Sequence, residues 1–78
     1  MDKATEVYYD NYFLLFNTDG WKQLCKELTD QAQIINSVEY TRDGDDLLTR
    51  KGQLSVIASI LNLSDTITRA YEDAKEEA

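Results

Sequence analysis

LLTRKGQLSVIASILNL, residues 47 to 63, places apolar side chains on two sides of any helix it forms. At about 100° per residue, Leu54, Ile57, Ala58 and Leu61 share one side. Val56, Ile60, Leu63 and, further on, Ile67 fall almost opposite. Between the two rows runs a strip of small residues, Gly52, Ser55 and Ser59. A helix that is apolar on two sides is buried on two sides. This segment is therefore expected to be the central element, with the rest of the chain packed around it. Gly52 costs ~1 kcal/mol relative to alanine inside a helix. Close approach of a neighbouring backbone or ring would account for it, and so would a tolerated glycine or a small hinge.

Upstream, VEYTRDGDD (38–46) interrupts the periodicity. Asp43-Gly44 reads as a turn, with Gly44 suited to a positive backbone angle. Asp43, Asp45 or Asp46 is then expected to cap the central helix. Before this break, FNTDGWKQLCKELTDQAQIINSV (16–38) forms a one-sided amphipathic helix. Its stripe is Trp21, Leu24, Cys25, Leu28, Ala32 and Ile35, with Lys22, Gln23, Lys26, Glu27 and Asp30 facing away. Asn17 is the expected N-cap, which puts Phe16 and Trp21 in the positions of a hydrophobic staple. Lys26 and Asp30 sit one turn apart and can pair. So short a connection between two helices implies an antiparallel hairpin.

Downstream, Ser64-Asp65 resembles a fresh N-cap, so a kink or break is expected there. The last helix, DTITRAYEDAKEEA, carries a single stripe of Ile67, Ala70, Tyr71 and Ala74. At the other end, VYYDNYFLLF (7–16) holds eight apolar residues in ten, five of them aromatic. It reads as the end of a helix that starts near Asp2, because no second strand exists for it to pair with. Tyr8, Tyr12, Leu15 and Phe16 share one face; Tyr9 and Phe13 fall on another. One short hairpin cannot bury both faces. One is expected to cover the second side of the central helix, leaving the other for a partner. The interface candidates are Tyr8, Tyr9, Tyr12, Phe13 and Phe16. The fold class is thus all-α: one small domain over 1–78, an antiparallel helical hairpin with an aromatic N-terminal helix and a short C-terminal helix.

Composition narrows the function. The chain has 78 residues, and domains of that size bury only ~60–65% of the unfolded surface. It has a single cysteine, Cys25, hence no internal disulfide, and no proline to stop a helix. Histidine, the commonest general base and transition-metal ligand, is absent. Fifteen acids against eight bases give a net charge of −7. That charge opposes direct nucleic-acid binding and adsorption to anionic membranes. No basic and then apolar leader opens the sequence, so a secretory signal is not expected. The apolar run Tyr12–Phe16 is too short to span a bilayer.

The constellations that invite a chemical reading fall short. Asp43, Asp45 and Asp46 hint at a calcium loop, but Leu47 and Leu48 stand where a ligand and a glycine are required. Arg50-Lys51-Gly52 lies within a helical pattern and lacks the glycine-rich loop of a phosphate site. It reads as a solvated face, or as a partner for a neighbouring acid. Cys25 lies on an apolar stripe with no histidine to activate it. No catalytic residue, metal or cofactor is expected, and the chain is read as no enzyme.

DGWKQLCKEL followed by RKGQLSVIASILNL resembles small acidic helical proteins encoded by tailed bacteriophages. In these, a tryptophan-led helix precedes an arginine-lysine-glycine-glutamine-leucine run, an apolar helix and a charged tail. The likeness spans roughly residues 16 to 74 and rests on Trp21 and Arg50 to Leu54. It implies a minor virion component near the portal or neck, found in the virion or in the cytoplasm of the infected host. It transfers no site residues, and the aromatic segment lies outside it. The expected function is that of a non-enzymatic assembly or adaptor protein whose partner is itself or a larger phage protein such as the portal. The alternative is an acidic inhibitor of a host nucleic-acid-binding protein. It would present Asp43, Asp45, Asp46, Asp65, Glu72, Asp73, Glu76 and Glu77 in place of phosphates.

Overall fold

The computed structural model describes residues 1–36 and 43–77. Four helices follow one another: α1 (Lys3–Phe16), α2 (Asp19–Ile35), α3 (Gly44–Leu61) and α4 (Leu63–Glu77). Among the described residues there is no strand, so the chain is all-α. Of the expected break at 38–46, residues 38–42 lie outside the described residues.

Side-chain caps start three of these helices. The Asp2 carboxylate accepts from the Thr5 amide at 2.8 Å, and the Asp43 carboxylate from the Asp46 amide at 2.8 Å. The Thr18 hydroxyl oxygen accepts from the Trp21 amide at 3.1 Å. Each satisfies an amide that the first helical turn leaves without a partner. The cap of α2 is therefore Thr18, one residue beyond the expected Asn17. Asn17 instead closes α1, with its side-chain amide on the Phe13 carbonyl at 2.9 Å. The staple pair survives this shift, because the Phe16 and Trp21 ring centroids lie 5.2 Å apart. Gly44 is the first residue of α3, and no described glycine has a positive φ. The turn is built by the Asp43 cap, which an ordinary backbone angle accommodates.

The junctions decide the topology. Between α1 and α2 only Thr18 is extended, at φ −80° and ψ 149°. One extended residue cannot reverse a chain, and helix–helix reversals usually take a loop of about 2–5 residues. The chain therefore bends at Thr18 and runs on. The break between α3 and α4 falls at Asn62 (φ −90°, ψ 1°), two residues before the expected Ser64. The helical ladder bridges it: Asn62 donates to Ala58 at 2.9 Å, and Thr66 donates to Asn62 at 3.0 Å. This too is a bend.

Two bent arms result, α1–α2 and α3–α4. They lie antiparallel, with α1 on α4 and α2 on α3. An arm running from Lys3 to Ile35 is ~50 Å long at ~1.5 Å per residue. The molecule measures 51 × 27 × 15 Å. It is two helices wide and one helix thick.

This layer corrects the expectation for α3. In line with α2, α1 packs on α4 instead of lying along α3, so the second row of α3 is covered only in part, with Ile60 half-buried. Ile57 faces α2 and is buried, whereas Val56, in the opposite row, is 62% exposed. Nothing approaches Gly52 within 4 Å of where a Cβ would stand, so no close-packed neighbour accounts for that glycine. Only Tyr9, Ile57 and Ile67 form a buried core among the described residues.

Candidate interaction surface

The aromatic segment divides along its length. Tyr9 is buried, and its ring meets Tyr71 of α4 edge to face at 5.4 Å. Phe13 also meets Tyr71, at 5.2 Å and again edge to face. Such pairs add ~0.5–1.5 kcal/mol beyond the area they bury. Lys75 places its ammonium 5.3 Å from the centre of the Tyr71 ring. Tyr71 is the residue that docks α1, and the stripe Ile67, Ala70, Tyr71 and Ala74 had already put it on the buried face.

Tyr8, Tyr12 and Phe16 lie on the adjoining face. Tyr8 packs on Tyr12 at 5.3 Å, Tyr12 on Phe16 at 6.0 Å, and Phe16 on Trp21 at 5.2 Å. This row runs along α1 and across the bend onto the first turn of α2. Tyr8 remains 51% exposed and Leu15, beside it, 40%. The Tyr8 phenol ionises above the usual tyrosine range. Negative charge on the adjacent Tyr12 would oppose its own, and desolvation adds to the effect. Of the five candidates, Tyr9 and Phe13 hold α1 to α4, while Tyr8, Tyr12 and Phe16 present a continuous ring surface.

Elsewhere polar groups hold the arms together. Arg50 of α3 pairs with Asp46 at 3.1 Å and donates to the Ile35 carbonyl at 2.9 Å, tying α3 to the end of α2. The ion pair is a turn apart within α3, as the partner reading of Arg50 implied. The sequence-distant bond to Ile35 escaped that reading, since spacing along a helix says nothing about a neighbour's carbonyls. Lys26 and Asp30 pair at 3.0 Å on an exposed face.

The eight candidate acids form no single patch. Asp43, Asp45 and Asp46 start α3, and Asp43 and Asp46 are engaged in its cap and ion pair. Asp65 lies in the first turn of α4, near the middle of the rod, and Glu72, Asp73, Glu76 and Glu77 end α4 at its far end. Among the described residues no three potential metal ligands converge. No helix formed by them is long and apolar enough to cross a membrane. Comparison with known protein families, curated proteins and solved structures finds no match to this chain.

Proposed function

We propose that this chain is a non-enzymatic assembly or adaptor protein whose working surface is the ring row Tyr8, Tyr12 and Phe16, continued by Leu15 and Trp21. The observation that carries the reading is its surface area. The chain exposes 6040 Å², whereas a compact monomer of 9.0 kDa exposes ~4,900 Å². The excess, roughly 1,100 Å², is comparable to the ~800 Å² that each partner contributes to a stable protein interface. Rings of tyrosine, phenylalanine and tryptophan are the side chains that anchor such interfaces. Tyr9 and Phe13 support the row from beneath by fixing α1 on α4.

The resemblance in the tryptophan helix and the Arg50–Leu54 run supports a minor virion role in a tailed phage, with a larger protein such as the portal as partner. Dispersal of the acids along the rod, at both ends and at Asp65 between them, favours this over charge mimicry. The test is co-sedimentation with assembled particles of the phage that encodes the chain. The native protein is expected to travel with the particles in both low and high salt. A Tyr8→Ala/Tyr12→Ala variant of equal helicity is expected to stay free. Equal recovery of both proteins, or loss of the native protein at high salt, would reject the reading.

A further inference from the structure

A second surface, separate from the aromatic row, lies in the crease between α2 and α3. It is a groove of about 390 Å³ with Ala32, Leu54, Ile57, Ala58 and Leu61 along it. Its polar rim is Thr29, Gln33 and Asn36, so no described lining residue carries a charge. In a chain with 29% charged residues and a net charge of −7, a neutral strip along both helices is where like-charged copies approach at least cost.

We propose that this groove is the seat of a second copy of the chain, which lays its own α2–α3 layer across it to form a four-helix arrangement. Two observations point to a copy rather than to another occupant. The molecule is one helix thick, 15 Å, so a face-to-face pair supplies the second layer that a helical core requires. The residues 54, 57, 58 and 61 are spaced three, one and three, a pattern symmetric about its midpoint. Under a two-fold axis through that midpoint, Leu54 of one copy falls beside Leu61 of the other, and the small Ala58 lets the helices come close.

Sedimentation of the 78-residue chain over a wide concentration range provides the test, with four variants alongside. The native protein is expected to dimerise, and more tightly as salt screens the repulsion between two acidic copies. Ala58→Arg, at an exposed position, is expected to keep its helicity and weaken self-association at least ~10-fold, because the two guanidinium groups meet across the axis. Val56→Arg, on the outer side of the same helix, is expected to leave it unchanged. A Cys25→Ala/Ala58→Cys variant is expected to oxidise to a covalent dimer. A folded monomer at every concentration would overturn the proposal. So would a dimer that ignores Ala58→Arg but is lost in Tyr8→Ala/Tyr12→Ala, which would move self-association to the aromatic row. Neither outcome bears on whether that row binds an assembled particle.

Discussion

Tyr8 and Tyr9 are neighbours in sequence with opposite duties. The Tyr9 ring is at 9% exposure against Tyr71, whereas Tyr8 is half exposed above it. A side chain inside so thin a core is costly to remove, and one on its surface is not. Tyr71→Ala strips the ring that lies between Tyr9 and Phe13 and is expected to cost ~3–5 kcal/mol. Tyr8→Ala is expected to change stability by less than ~0.5 kcal/mol. Urea unfolding of the two variants at equal concentration measures both, and equal losses would contradict this division. The sequence placed all five rings together as interface candidates. Periodicity separates Tyr9 and Phe13 from Tyr8, Tyr12 and Phe16, but it does not say which set the protein keeps for itself. That choice depends on Tyr71, some 60 positions away, and on the route by which the chain brings it near.

At the level of elements, caps and bends explain more than propensity does. Asp2 begins α1, and hydrogen bonds from Thr5, first its side chain and then its backbone amide, hold the Asp2 carboxyl below its usual 3.8. A carboxyl depressed in the folded state lends its stabilisation fully above 3.8 and loses it as pH falls through the lower folded value. The first turn of α1 is therefore expected to fray in acid. The protection of the Thr5 amide, taken by NMR as its exchange relative to the intrinsic rate at each pH, should fall in acid in the native chain but not in Asp2→Asn, whose cap does not titrate. An amide indifferent to acid in the native chain would exclude the carboxylate cap. The helices themselves were legible because their stripes are strong in α2 and α4. The cap of α2 was legible to within one residue, since Asn17 and Thr18 offer similar side chains, and the bend before α4 to within two. The two-sided burial of α3 was not. Its pattern counts apolar sides, whereas the segments free to cover them are fixed by Thr18, a single extended residue that sends α1 away from α3.

For the whole molecule, the pattern on α3 retains a meaning that the lone chain does not satisfy. Val56 and Leu48 are 62% and 67% exposed, so much of the apolar surface of α3 stays in contact with solvent. The radius of gyration is 16.7 Å, against ~11.5 Å for a compact domain of this length. A rod with three buried side chains among its described residues has little to hold it alone, and association supplies the stability that its own core lacks. Small-angle scattering on an absolute scale, over a dilution series, reads mass and dimensions in one measurement. The account predicts a mass that rises with concentration from one chain to two or more, with dimensions set by the 51 Å rod. A constant single-chain mass, with a radius of gyration near ~11.5 Å, would contradict it.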